Sequence, residues 1–167
     1  TSSIGLYGGG GHGKALIDLL RALGTFNLLG IVDDRLPDTE TVLGVPVLGT
    51  AAMLPQLRDQ GISLAVNGVG GIGNPDARAA VFERLERHGF SFPVLVHPSV
   101  VMEPSAVLDP GVQVFPLAYV GTESTVGFGT VHNSGAIFPH ERRLGRVVNL
   151  SPARTLHVRA RAGVYQT

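Results

Sequence analysis

The sequence predicts two folds in series: an α/β unit built on a parallel sheet over residues 1–95, and a parallel β-solenoid over residues 96–167. Three observations predict it. Strand and helix signals alternate through the first half, which implies a sheet covered on its faces. From Val96 onward, apolar residues recur at every sixth position. Glycine and proline number 23 and 11 of 167 residues, which is unusual for a compact α/β domain and is explained if half of the chain is corners.

In the first half, residues 3–7 read as a strand running into Gly8-Gly9-Gly10-Gly11-His12-Gly13. A helix follows with Ala15, Leu16, Leu19, Leu20 and Leu23 on one face, and Gly24 stops it. Residues 28–32 (LLGIV) read as a second strand, closed by Asp33 and Asp34. Residues 45–48 form a short strand, 51–60 a helix stopped by Gly61, and 63–66 a buried strand. Asn74-Pro75-Asp76 opens a third helix, because Asn accepts orphan N–H bonds and Pro fits the first turn. That helix carries Ala77, Val81 and Leu85, and Gly89 stops it. Residues 92–96 are read as the last strand of the unit.

The second half follows a different rule. One apolar column runs Val96, Met102, Leu108 and so on to Leu156, broken only by His132. A second column of small or apolar residues lies four places after each member, from Val100 through Val148 to Ala160, with Arg142 and Arg154 as charged exceptions. The position after the first column is often Gly or acidic: Glu103, Asp109, Gly121, Gly127, Gly145 and Gly163. No helix has a period of six and a strand alternates every two, so the repeat describes short flat sides and tight corners. Twelve hexads fit between Val96 and Thr167, or four three-sided turns.

Bulk properties narrow the function. Basic and acidic residues balance at 13 each, which gives no footprint for nucleic acid or an anionic membrane. There is no cysteine, which excludes disulfides and thiolate chemistry, and no metal site is expected. No stretch approaches the length of a membrane span, and no signal peptide opens the chain, so a cytoplasmic protein is expected.

The glycine-rich loop has a physical use. Glycines let the backbone approach a ligand, and a helix N-terminus offers free N–H groups and positive potential to phosphate. Gly8, Gly10 and Gly13 satisfy G-x-G-x-x-G, and Asp33 follows about 20 residues later, as in a dinucleotide fingerprint. A nicotinamide-dependent oxidoreductase binding NAD(P) is therefore one reading, although the unit is short for two mononucleotide halves. A tight turn that only packs helix on sheet is another.

YGGGGHGKALIDLL, the Asp-Asp pair after the second strand and the entry segment VLVHPSVVMEPSAVL together give a resemblance that covers essentially the whole chain. The chain resembles the hexapeptide-repeat sugar acyltransferases, in the subfamily of sialic-acid O-acetyltransferases and UDP-4-amino-sugar N-acetyltransferases. The resemblance implies a Rossmann-like unit that binds a nucleotide-sugar, followed by a left-handed β-helix. The hand comes from the resemblance alone, since general topology favours right-handed crossovers. It implies acetyl-CoA as co-substrate, a nucleotide-sugar acceptor with UDP favoured, and a homotrimer.

The resemblance also assigns residues. Gly8, Gly10, Gly11, His12, Gly13, Asp33 and Asp34 are expected at the nucleotide. Asn74 and Arg78 match a Gly-Asn and Arg of the family, against the simpler reading of a helix cap and a solvated arginine. His140 is the expected general base, with Glu141 as its orienter in FPHERRLG, and Asn133 is a supporting polar group. A neutral imidazole has a suitable pKa for taking a proton from an attacking amine or hydroxyl. Gly145 and Asn149 are expected at the cofactor, Asn149 standing where some relatives carry a histidine. Three inward positions, Arg142, Arg154 and Gln166, are wrong for a dry core. The resemblance implies further coils after Thr167, so the solenoid is expected to be truncated or irregular after Leu150 and the acetyl-CoA site incomplete. A nucleotide-sugar-binding module that has lost acyl transfer is the alternative.

Overall fold

The structure, a computed structural model, describes residues 1–155. Two compact units emerge, one of Thr1–Gly70 with Asp76–Pro93, the other of Gly71–Pro75 with the chain from Val94 onward.

The first unit is a five-stranded sheet with helices. Its strands are β1 (Ser2–Tyr7), β2 (Phe26–Val32), β3 (Thr41–Val42), β4 (Val45–Gly49) and β5 (Leu64–Asn67). Their spatial order is β3-β4-β2-β1-β5, all parallel except the β3–β4 hairpin. Ile4, Leu6, Ile31 and Val32 of the central strands are almost wholly buried, as befits strands covered on both faces. Helix α1 (Gly11–Leu23) buries Leu16, Ile17, Leu19 and Leu20 and ends on Gly24 in the left-handed region at φ 64°. A 3₁₀ turn at Ala51–Met53, capped by the Thr50 hydroxyl, leads into α2 (Leu54–Asp59). Helix α3 (Pro75–Arg87) buries Val81, Phe82 and Leu85.

Two sequence readings need correction here. The β3 strand was not anticipated, because its turn uses Leu43 at φ 50° before Gly44 at φ 81°, and leucine is not a turn signal. Residues 92–96 are not a strand of this sheet. Only Ser91 bridges to Leu64, while Leu95–Val96 pairs with the solenoid strand Gln113–Val114.

The second unit is a three-sided parallel β-helix. Its strands are two residues long and six apart: β6 (Leu95–Val96), β7 (Val101–Met102), β8 (Val107–Leu108), β9 (Gln113–Val114), β10 (Tyr119–Val120), β11 (Thr125–Val126), β12 (Val131–His132), β13 (Ile137–Phe138), β14 (Arg143–Leu144) and β15 (Asn149–Leu150). They stack as β6-β9-β12-β15, β7-β10-β13 and β8-β11-β14. Each strand pairs with the one a full coil later, as in Tyr119↔Ile137. Between Val112 and Leu150 both sequence columns face inward apart from Arg142, which is only half-buried, whereas Met102 in the first coil is exposed. Val114, Val120, Val126, Phe138 and Leu144 join Val112, Ala118, Ala136 and Val148 in one core.

The corners use glycine in two ways. From Pro110 onward the left-handed residue of each corner falls at 111, 117, 123, 129, 135, 141, 147 and 153, and only Gly111, Gly129 and Gly135 are glycines there. Leu117, Glu123, Glu141, Val147 and Ala153 adopt positive φ with a Cβ in place, at a cost of about 1–2 kcal/mol each. Gly121 and Gly127, at the position after the first column, serve close approach of stacked coils instead, since a Cβ there would strike the backbone of the coil above.

The inward polar residues have different fates. His132 is fully buried, Nε2 lies 2.8 Å from the Ala136 carbonyl, and Nδ1 has no partner among the described residues. Arg142 is half-buried and its Nε has no partner among the described residues, whereas Arg154 is exposed rather than inward. The coil holds its register past Leu150, where Thr155 bridges to Ile137 and the Ile137 N–H donates to the Arg154 carbonyl at 2.8 Å. The repeat positions Leu156, Ala160 and Gly163, together with Gln166 and the rest of the stretch expected to be irregular, lie outside the described residues.

Candidate functional site

Strand order locates the first candidate site. From β1 the chain moves to β2 and β4 on one side, then returns to place β5 on the other. The direction reverses between β1 and β5, and in open α/β sheets ligands sit outside the carboxyl ends of the strands at such a reversal. Two glycine-rich loops leave those ends, Gly8–Gly13 after β1 and a loop starting at Gly68 after β5. They touch closely. The Gly68 N–H donates to the Tyr7 carbonyl at 2.6 Å, and a Cβ on Gly68 would lie 2.5 Å from the Gly8 oxygen. A Cβ on Gly70 would meet the His12 side chain at 3.2 Å. Sequence reasoning singled out the first loop and missed the second, although VNGVGGIGNP carried the signal.

Within the first loop each glycine has a distinct task. Gly8 adopts φ 98°. A Cβ on Gly13 would collide with the Gly8 carbonyl, so only glycine lets α1 pack this tightly against β1. Gly10 caps α1 without a side-chain bond, and both Gly10 and Gly11 are exposed with open space where a Cβ would stand. The start of α1 therefore carries no side chain at Gly10 and Gly11, and backbone N–H groups at an open helix start are the arrangement that receives phosphate.

The acidic pair braces this loop. Asp33 Oδ2 accepts from the Gly9 N–H at 2.8 Å, and Oδ1 accepts from the Arg35 and Leu36 N–H groups at 2.8 and 3.1 Å. Burial acts to raise its pKa, but these three backbone donors outweigh burial and hold the carboxyl below its usual value. Asp34 accepts from the Tyr7 hydroxyl at 2.5 Å and from the Ala51 N–H at 2.9 Å, and pairs with Arg84 at 3.3 Å. The Tyr7 bond leads the causes that keep the Asp34 carboxyl low. Burial, then the bond to Asp34, pushes the Tyr7 hydroxyl up to about 12. Tyr7 and Arg84 were not picked out from sequence, since Arg84 reaches the Tyr7 hydroxyl at 2.7 Å across 77 residues of chain.

Arg78 is neither solvated nor exposed. It is buried, with Nη1 donating to the Asn67 and Val69 carbonyls at 3.1 and 2.6 Å, while Asn67 Nδ2 donates back to the Arg78 carbonyl at 2.9 Å. Burial lowers its pKa to about 9. Its visible work is to hold the loop after β5. Asn74 is exposed ahead of α3, its N–H donating to the Gly71 carbonyl at 3.3 Å.

The second candidate site is on the β-helix. His140 and Glu141 occupy the corner between β13 and β14, with side chains 71% and 70% exposed and Nδ1 to Oε2 at 3.4 Å. Glu141 is the left-handed residue of that corner at φ 54°, and its N–H donates to the Thr122 carbonyl at 2.8 Å. Asn133 stands at a different corner, after β12. Its Nδ2 donates to Asn149 Oδ1 at 2.6 Å and to the Leu150 carbonyl at 2.9 Å. Asn133 and Asn149 are thus brought together with each other rather than with His140, and Asn149 is buried. Gly145 lines a groove of about 570 Å³ with Asp109, Thr125, Gly127, Arg143 and Arg146. Arg146 is braced over the Phe128 ring at 4.9 Å.

An α/β unit with a glycine-rich β1–α1 loop, followed by a three-sided β-helix with an exposed His–Glu corner, defines a two-part acyltransferase architecture. Comparisons agree. The family described as PglD N-terminal domain matches residues 3–85. Perosamine N-acetyltransferase from Caulobacter crescentus, solved with CoA and GDP-perosamine, is 36% identical with a TM-score of 0.85, covering 92% of this chain and 70% of its own. That structure carries a histidine-to-asparagine substitution, and a second carries histidine-to-alanine. The acetyltransferase domain of PglB from Neisseria gonorrhoeae, in complex with acetyl coenzyme A, is 32% identical with a TM-score of 0.82, covering 94% of this chain and 74% of that one. No curated protein sequence matches the chain. The chain belongs to the hexapeptide-repeat sugar acyltransferases, and its solenoid is the left-handed β-helix of that family.

Proposed function

We propose that the protein transfers the acetyl group of acetyl-CoA to an amino group of a nucleotide-linked sugar, with His140 as general base. The observation that carries the reading is an exposed imidazole with a carboxylate at its Nδ1, on the β-helix of a chain whose relatives are acetyltransferases. Glu141 beside Nδ1 favours the tautomer with the proton on that nitrogen, which leaves the Nε2 lone pair free to accept. The sugar amine attacks the thioester carbonyl, His140 takes the amine proton, and the tetrahedral intermediate collapses with the carbon–sulfur bond breaking. The CoA thiolate leaves and regains a proton. Glu141 stabilises the imidazolium formed in the first step.

The nucleotide diphosphate is assigned to the N-terminus of α1, with Gly10, Gly11, His12 and Gly13 around it. Asp33, Asp34 and Arg78 shape the two loops. Asp33 already accepts three backbone bonds, which counts against a nicotinamide enzyme that would need this carboxylate for a ribose. The groove with Gly145, Arg143 and Arg146 offers guanidinium groups to the CoA phosphates. Asn133 and Asn149 act as a paired support for the coil above rather than as groups that touch the acetyl. A UDP-sugar follows from the family resemblance, while the Caulobacter relative holds a GDP-sugar, so both bases belong in the assay. A homotrimer and a cytoplasmic location, where acetyl-CoA is available, complete the reading; among the described residues no helix is long and apolar enough to cross a membrane.

The test is acetyl transfer from acetyl-CoA to UDP- and GDP-linked 4-amino sugars, followed by thiol release and product mass. Wild-type protein acetylates at least one of them. No transfer to any amino sugar, with nucleotide-sugar binding intact, would leave a binding module in place of an enzyme.

A further inference from the structure

The corner under His140 is built for close stacking. The residues that follow β7, β10 and β13 are Glu103, Gly121 and Pro139, and they stack because those strands pair in register, Met102↔Val120↔Phe138. The Gly121 N–H donates to the Phe138 carbonyl at 2.8 Å, and the Ser124 hydroxyl donates to the Gly121 carbonyl at 2.5 Å. One residue later, the Thr122 carbonyl accepts from the Glu141 N–H at 2.8 Å. The His140 turn is therefore laid directly on the turn that begins at Gly121.

Gly121 is not among the residues with positive φ, so its backbone angle does not ask for glycine. Space does. A Cβ at 121 would lie 2.6 Å from the His140 nitrogen, 2.6 Å from the Pro139 carbonyl carbon and 3.0 Å from the His140 Cα. These are backbone atoms, with no rotamer that can yield. Any side chain at 121 must push the Pro139–His140 peptide outward, and the imidazole moves with it.

We propose that Gly121 is a positioning residue for acetyl transfer: its missing side chain lets the Pro139–His140 backbone settle on the coil beneath and fixes where the imidazole stands. This rests on the reading of His140 as the base. Displacing a reacting group by about 1 Å costs up to about a hundredfold in rate. The same shift alters the 3.4 Å contact between His140 Nδ1 and Glu141 Oε2.

The experiment compares Gly121→Ala with Val126→Ala in the full chain. Val126 is fully buried and belongs to the core, so its truncation lowers stability without touching the His140 turn. Gly121→Ala is expected to lower kcat by about tenfold to a hundredfold and to keep KM for both substrates within about twofold. Val126→Ala is expected to lower Tm while keeping the wild-type kcat well below its midpoint. Wild-type kcat in folded Gly121→Ala would overturn the proposal, as would a matching kcat loss in Val126→Ala. If Gly121→Ala fails to fold, Pro139→Gly loosens the same peptide without a clash. A fall in kcat at unchanged KM supports the positioning role, and an unchanged kcat overturns it. Full activity in His140→Ala would instead sink the reading of the base itself, so the two failures are distinguishable.

Discussion

The two candidate sites use side chains in opposite ways. Around the β1 and β5 loops, the polar side chains are spent on the protein: Asp33 on three backbone donors, Asp34 on Tyr7, Ala51 and Arg84, and Arg78 on two carbonyls. What remains open is backbone, at Gly10 and Gly11. On the β-helix the backbone is spent on coil-to-coil pairing, and what remains open is side chain, at His140 and Glu141. The difference teaches that binding a phosphate needs a rigid frame of N–H groups, while moving a proton needs one free titratable group on a rigid frame.

Damage to the two regions is therefore expected to differ in kind. The largest stability effect is expected at Gly13→Val, which forces a branched side chain into the Gly8 carbonyl. It should destabilise the first unit by about 3 kcal/mol, read by denaturant titration, and wild-type stability would break the assignment of Gly13 as a packing glycine. Asp33→Ala removes one acceptor from three backbone donors and should cost about 2 kcal/mol while weakening nucleotide-sugar binding. Its pH signature has a definite sign. The folded pKa lies below the unfolded value of about 3.9, so the stabilisation is present above that value and is lost as pH falls through the lower folded pKa. Asp33→Ala should flatten the acid limb of the stability–pH curve measured by chemical denaturation; an unchanged limb would count against the brace.

His132→Leu sharpens the contrast from the other side. Burial holds the His132 pKa below about 6.5, partly opposed by the bond to the Ala136 carbonyl. The unfolded chain takes up a proton first as pH falls below about 6.5, so stability is lost through the window between that value and the lower folded pKa. Leucine restores the apolar column and removes an unpartnered buried nitrogen, and the Ala136 carbonyl keeps its bond from the Tyr119 N–H at 3.0 Å. The expected gain is about 1–2 kcal/mol with no dependence on pH from this site, measured by thermal melts from pH 5 to 8. A loss of stability would mean that the histidine performs a task in the core. The smallest effect is expected at Glu141→Gln, with kcat down about tenfold and Tm unmoved, because the pair is exposed and contributes little to folding. A Tm drop at constant kcat would reverse the assigned role.

Much of this was legible in the sequence for physical reasons. A six-residue period has no other regular solution, and between Val112 and Leu150 both columns run inward as read except at Arg142. The loop from Gly8 to Gly13 was legible because backbone approach leaves a glycine signature. Features that depend on distant pairing were not. The Tyr7–Asp34–Arg84 cluster joins three elements, and no local pattern announces it. The β3–β4 turn was hidden because Leu43 takes a conformation that glycine or asparagine usually signals. The corner glycines were noticed, but their purpose was legible only in coordinates: φ at Gly129 and Gly135, clearance at Gly121 and Gly127. Arg78 carried a family expectation of ligand contact and a local one of solvent, and burial among backbone carbonyls fits neither simple reading.

One measurement reaches the division of labour most directly: calorimetry and acetyl transfer on the same His140→Ala protein. The account predicts nucleotide-sugar affinity within about twofold of wild type and a rate lower by about 10² to 10⁴. Retained transfer at the wild-type rate, or affinity and rate lost together, would contradict it.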